Sequence, residues 1–138
     1  MKKARPRADP PACPCGSGRA YAVCCGAFID HGALPATAAL LMRSRYSAYV
    51  LMREDYLLRT WHESTRPARL DLQDAGPVKW LGLKIVRAEA GGADEREGIV
   101  EFVARYQVNG RAGRLREVSR FVRDAGQWLY VDGQIAAA

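Results

Sequence analysis

The chain has no long apolar run: nothing in it approaches the roughly 18 to 20 residues that a transmembrane helix needs, which excludes a helical membrane span. It also lacks the apolar segment of a secretory leader. Lys2, Lys3, Arg5 and Arg7 are followed by Asp9, Pro10 and the first cysteine, so secretion is not expected and the cytoplasm is the expected address. Histidine is scarce, with His31 and His62 alone, and no second carboxylate is clearly placed beside His62 to make a catalytic dyad. Internal repeats and low-complexity segments are absent. No cysteine lies outside residues 13–25.

What remains is an ordinary globular composition. With 138 residues, 49% hydrophobic and 26% charged, the chain suits one well-buried core carrying an appendage. The net charge of +6 is unevenly spread. Lys2, Lys3, Arg5, Arg7 and Arg19 face one acid, Asp9, within the first 25 residues, leaving a balance of only +2 for the rest. Four thiolates on one divalent cation would cancel part of the basic excess. The main domain therefore has little electrostatic claim on nucleic acid.

Cys13, Cys15, Cys24 and Cys25 form the pattern C-x-C, eight residues, C-C. Soft thiolates at this spacing suit a d¹⁰ ion in a tetrahedral four-sulfur shell, and a reducing compartment disfavours disulfides. One zinc ion is the expected occupant. The alternatives are two disulfides, four free thiols or an iron–sulfur cluster. Gly16 and Gly18 allow positive φ, Arg19 offers a nearby positive charge, and Gly26 gives freedom after the adjacent pair. Tyr21 and Val23 are expected to pack the knuckle on the rest of the chain. Such a small module folds with its metal, so chelation is expected to melt this segment first. His31 reads as a surface histidine.

The run Cys13-Pro14-Cys15-Gly16-Ser17-Gly18 with Tyr21 and Cys24-Cys25 resembles the SEC-C motif, a zinc knuckle also found at the carboxyl end of the SecA translocation ATPase, where it contacts the SecB chaperone. Ala20, Ala22 and Val23 stand where partner-binding knuckles carry lysines. Residues 41–49, 55–57, 60–62, 119–121 and 128–133 are similar to the uncharacterised YchJ family. The resemblance implies a nuclear transport factor 2-like (NTF2-like) domain behind the knuckle and, through the knuckle, a protein partner.

Thr37 is a plausible N-cap for a helix running to about residue 52, Asp55 for a second through 61, and Pro67 suits the start of a third near 67–73. From Val78 the apolar period becomes two, giving strands near 80–88, 99–108, 115–123 and 128–132. Asn109-Gly110 and Ala125-Gly126 mark tight turns. The expected fold is α+β: three N-terminal helices packed on a curved four-stranded antiparallel sheet, an NTF2-like or cystatin-like cone with an N-terminal zinc knuckle. Its expected parts are a basic flexible tail at 1–12, the knuckle at 13–31 and the α+β domain at 35–135.

Between helices and sheet, a pocket would be lined from Arg45, Tyr49, Trp61, His62, Trp80, Tyr106, Glu117 and Ser119. Inward Arg45 and Glu117 would form a charge pair, and Asp71 is a candidate acid for His62 whose reach the sequence does not show. Arg111, Arg114, Arg116 and Arg120 fall on the outer sheet face, where interleaved aromatics are missing. Two functions stay open. The first is a non-enzymatic zinc protein with a structural or protein-contacting knuckle. The second is a small-molecule binder, lyase or isomerase that uses the pocket.

Overall fold

In the computed structural model, which describes residues 11–74 and 76–135, three α-helices precede four strands. The described helices are α1 (Cys25–Ile29), α2 (Ala38–Val50) and α3 (Glu54–Arg59). The strands β1 (Val78–Ala90), β2 (Glu97–Val108), β3 (Arg111–Asp124) and β4 (Gln127–Ile135) form one antiparallel meander in chain order. Thr37 caps α2 as its sequence predicts, its hydroxyl accepting the Leu40 N–H over 3.1 Å.

α2 is the hub of the molecule, and its residues divide among three neighbours. Met42, Arg45, Tyr46 and Tyr49, spaced three and four apart, face the concave side of the sheet. Ser44 meets the Tyr56 hydroxyl of α3 at 2.7 Å. Arg43 and Ser47 face the cysteine loop. Because the helix is enclosed from several sides, its buried positions include Ser44, Arg45 and Ser47 beside Leu41 and Ala48. Each polar one has a hydrogen-bond partner, as burial requires.

The sheet follows the period-two pattern. Val100, Phe102 and Ala104 of β2 and Ser119 and Phe121 of β3 are buried, while Arg105, Arg114 and Arg120 alternate outwards. Asn109 and Gly110 take φ of 50° and 79°, and Ala125 and Gly126 take 51° and 79°. Two consecutive left-handed residues are what a two-residue hairpin between twisted strands requires. Irregular register at Trp80/Gly82, Ile85/Arg87 and Arg120/Phe121 bends the sheet over α2.

β4 is anchored on its far side by the chain after α3. Tyr130 N–H donates to the Thr60 carbonyl over 2.9 Å, and His62 N–H donates to the Tyr130 carbonyl over 2.7 Å. Trp128, fully buried, donates from Nε1 to the Ala36 carbonyl at the foot of α2.

The helix expected near 67–73 is not formed. That stretch is irregular, with a bend at Ala68, a left-handed Asp71 (φ 52°) and a single 3-10 turn at Leu72–Asp74. Leu70 and Leu72 pack against the core on either side of Asp71, whose positive φ interrupts a right-handed helix there. The third helix is instead α1, which belongs to the cysteine segment. The expected basic tail falls mainly on residues 1–10, outside the described residues, whereas Pro11 and Ala12 are already tied into the knuckle: Ala12 pairs with Ala20, and the Pro11 carbonyl accepts the Tyr21 N–H over 2.9 Å. Among the described residues no helix is long and apolar enough to cross a membrane.

Candidate functional site

The cysteine loop folds back on itself through its own backbone. Cys13 N–H donates to the Arg19 carbonyl over 2.9 Å and Gly16 N–H to the Cys13 carbonyl over 3.2 Å. Gly16 and Gly18 take φ of 79° and 83°, the left-handed conformation their sequence positions predict. A 3-10 turn at Tyr21–Val23 then delivers Cys24, and Cys25 opens α1. The adjacent cysteines thus reach one point from a turn and a helix start.

All four sulfurs are buried and lie within 4.8 Å of one another, with no disulfide among them. Cys15 and Cys24 are 3.7 Å apart at their sulfurs. Zinc–thiolate bonds of about 2.3 Å in a tetrahedron imply sulfur–sulfur edges of about 3.8 Å, so the donor set fits such an ion. The Cys15 thiol is pulled down to about 4, chiefly by the Cys25 thiol that hydrogen-bonds it and then by Ser17 and Cys13. The same contact pushes Cys25 up, helped by its burial, and burial raises Cys24. A cation that binds all four sulfurs would replace their remaining protons.

The surroundings of the sulfurs come mainly from α2. Arg43 Nη1 donates to the Cys15 carbonyl over 3.0 Å and lies 3.8 Å from its sulfur, and Ser47 Oγ lies 3.6 Å from Cys13 Sγ. Ser17 Oγ, inside the loop, is 3.2 Å from Cys24 Sγ. Arg19, expected near the cluster, is exposed. Tyr21 does pack inwards, donating to Asp30 Oδ2 over 2.9 Å, but Val23 is 58% exposed and packs nothing. Gly26 is needed for room: a Cβ there would sit 2.7 Å from the Tyr21 carbonyl oxygen.

The cone holds a cavity of about 250 Å³ between α2 and the sheet. Of the pocket candidates, Arg45, Tyr49, Trp80 and Glu117 line it, together with Met42, Tyr46, Phe102 and Tyr130. Ser119 stands behind Glu117, donating to its Oε2 over 2.5 Å, and Tyr106 stands edge-on to Trp80 at 6.0 Å. Trp61 lies behind Tyr130, with ring centroids 4.9 Å apart. His62 does not reach the cavity lining; its Nδ1 lies 2.7 Å from the Ser64 hydroxyl, and Asp71 pairs with Arg69 rather than with it.

The expected Arg45–Glu117 contact is not made. Arg45 Nη1 donates instead to the Leu57 carbonyl and to Thr60 Oγ1, each over 2.8 Å, and its guanidinium lies 5.0 Å and 4.5 Å from the Trp61 and Tyr130 ring centroids. The long arginine stem carries its charge to the end of α3, where carbonyls are left without helical partners. On the outer face, Glu101 binds both Arg87 and Arg116, and Arg120 pairs with Asp132. A groove between Pro14 and Gly16 of the loop and β1 is lined by Lys84, Arg105 and Arg114, which have no carboxylate partner among the described residues.

Comparison with known proteins matches residues 12–27 to the SEC-C motif and residues 37–133 to the middle NTF2-like domain of YchJ. A UPF0225 protein of Chromobacterium violaceum is 58% identical, covering 91% of this chain and 93% of its own. A second UPF0225 protein, from Ralstonia nicotianae, is 53% identical with 98% and 99% coverage. The solution structure of a SEC-C motif containing protein from Rhodopseudomonas palustris superposes with a TM-score of 0.79 at 30% identity, over 91% of this chain and 98% of that one. A crystal structure of a SEC-C motif containing protein from Psychrobacter arcticus gives 0.71 at 27%, over 91% and 83%.

Proposed function

From the premise that the chain belongs to the YchJ family, also called UPF0225, and carries a SEC-C motif ahead of an NTF2-like domain, we propose that it is a zinc-binding protein whose knuckle is first a structural module and second a contact surface for another protein. The observation that carries this reading is the convergence of four buried, unbridged sulfurs within 4.8 Å. They belong to the same buried cluster as Ile29, Leu41 and Met42, so an ion there would fasten the loop and α1 onto α2. Thiols kept reduced are at home in the cytoplasm.

A shell of four sulfurs leaves no position for water or substrate, so the ion's role is cohesion rather than hydrolysis. Elemental analysis of protein purified under reducing conditions is expected to return one equivalent of zinc per chain. A chain that folds fully with none would overturn the reading.

For the protein contact, Pro14 and exposed Gly16 of the loop border the groove of Lys84, Arg105 and Arg114. Uncompensated cations next to exposed Leu81 and Val86 suit an acidic protein segment with apolar side chains better than nucleic acid, for which the groove offers no stacking aromatic. A pull-down with Lys84→Glu and Arg114→Glu in a zinc-loaded chain tests this. Loss of a partner that the unaltered chain retains supports the contact, and equal retention removes it.

A further inference from the structure

Two residues of opposite charge, Arg45 and Glu117, line the cone cavity without a direct ion pair between them. Arg45 enters from α2 and is buried to 2% exposure. Among the described residues, no carboxylate lies within 4.0 Å of its guanidinium, whose Nη1 is held by Leu57 and Thr60. Glu117 enters from β3 and, among the described residues, has no cation within the same distance.

The carboxylate has a built seat. Ser119, itself fully buried, donates to Glu117 Oε2. The side chain lies across Gly133 of β4, where a Cβ would come within 2.6 Å of Glu117 Cδ. The sheet has therefore left out one side chain to make room for this group, and the two charges are fixed on separate supports. A buried charge such as that of Arg45 is costly unless something balances it, and Glu117 beside it is half-buried.

The space between them is aromatic and small. Tyr46 and Tyr49 lie with ring centroids 6.0 and 6.3 Å from that of Trp80, and Tyr130 closes the wall beneath Arg45. At about 250 Å³ the cavity is below the size of drug-like or nucleotide ligands. A purely apolar guest would leave both charges unanswered, and a simple anion or simple cation would leave one.

The geometry points to a binding site for a small zwitterion, an amino-acid-like molecule with a carboxylate for Arg45, an ammonium for Glu117 and an apolar body against Tyr46, Tyr49 and Trp80. A carboxylate on Arg45 gains a charge-assisted hydrogen bond, and the ammonium gains Glu117 and the aromatic faces beside it. The site uses none of the cysteines, and the titrations are made on the metal-loaded chain.

The test is calorimetric titration of the full chain with L-leucine, L-valine and the ω-amino acids of three to six carbons, against pentanoate and pentylamine as single-charge controls. At least one zwitterion is expected to bind with a dissociation constant at or below about 1 mM, and both single-charge controls about tenfold or more weakly. Glu117→Gln should weaken the zwitterion about tenfold while leaving pentanoate unchanged. Arg45→Met removes a buried donor and can unfold the chain, so Ala104→Leu, which fills the cavity with apolar bulk, is the second variant; it should abolish binding with the melting curve retained. No binding of any zwitterion at about 10 mM, binding of the single-charge controls as tight as theirs, or unaltered binding in Ala104→Leu would each overturn the proposal.

Discussion

Arg43 and Cys15, 28 residues apart, are joined by a hydrogen bond of 3.0 Å from the guanidinium Nη1 to the cysteine carbonyl, and the same nitrogen lies 3.8 Å from the sulfur. One side chain of α2 thus fixes the backbone of a metal-ligand candidate and places a positive charge beside a thiol that its neighbours already pull down. Outer partners of this kind commonly set metal affinity by about ten- to a hundredfold. Arg43→Ala is accordingly expected to weaken zinc retention by about tenfold or more in competition with a chromophoric chelator at neutral pH. Arg43→Lys, which keeps the charge and loses the planar fork, should recover part of it. Unchanged affinity in Arg43→Ala would mean that the loop's own amides suffice.

The position of the cysteines in the shared core changes what chelation should do. Read from the sequence alone, the knuckle is an appendage that melts first. In the fold, Cys13 touches Ser47 in the last turn of α2, and α2 is the hub for the sheet. Metal removal is therefore expected to lower the melting temperature of the whole domain. A loss of about 3 kcal/mol would move the midpoint by about 10 °C in a chain of this size. Far-ultraviolet circular dichroism and the fluorescence of buried Trp128 should shift together. Two separate transitions, with the tryptophan signal unmoved, would return the knuckle to the status of an appendage.

What could be read from the sequence was what chain neighbours decide. The cysteine spacing, the Thr37 cap, the period-two strands and the two-residue turns are local, and each stands where its residues predicted. Arg43 and Ser47 could not be found that way, because a helix residue 28 or 34 positions from its cysteine leaves no periodic trace. Helical spacing placed Arg45 inside and strand alternation placed Glu117 there, but neither could choose their partners. The arginine stem was long enough to reach Leu57 and Thr60, and Ser119 was two residues from Glu117 on the same strand face. Pro67 carried a sound helix-start signal that lost to the burial of Leu70 and Leu72.

Gly26 tests packing inside the knuckle. It is a helical residue of α1 and its φ is not positive, so conformational freedom is not its purpose. A methyl group there would meet the Tyr21 carbonyl at 2.7 Å and the ring Cε2 at 2.9 Å. The carbonyl cannot yield easily, because it accepts the Cys24 N–H over 3.0 Å. Gly26→Ala is expected to destabilise the zinc-loaded protein by about 1–3 kcal/mol in chemical denaturation, as overpacking does. Val23→Ala, at an exposed position in the same turn, should stay within about 0.5 kcal/mol.

Glu101 provides the pH dependence of the outer sheet. Its Oε1 accepts from Arg87 Nε over 2.7 Å and its Oε2 from Arg116 Nε over 2.6 Å, so one carboxylate of β2 links β1 and β3. The two guanidinia, Arg87 first, hold its carboxyl below the ordinary value of 4.5. A carboxyl depressed by folding contributes stability that is fully present above its unfolded value and is lost as the pH falls through the folded one. Glu101→Gln should therefore lower the urea midpoint at neutral pH, and the gap from the unaltered chain should close below pH 4.5 as the carboxylate takes up its proton. Salt should narrow the gap as well, since the Arg87 and Arg116 side chains remain 42% and 39% exposed. Arg87 also reaches Glu89, whereas Arg116 has no second carboxylate among the described residues, so Arg116 loses its sole ion pair in Glu101→Gln and Arg87 does not. Arg87→Ala in the Glu101→Gln background should accordingly still cost stability while Arg116→Ala costs none, and a gap that widened towards acid would assign Glu101 to packing rather than to charge.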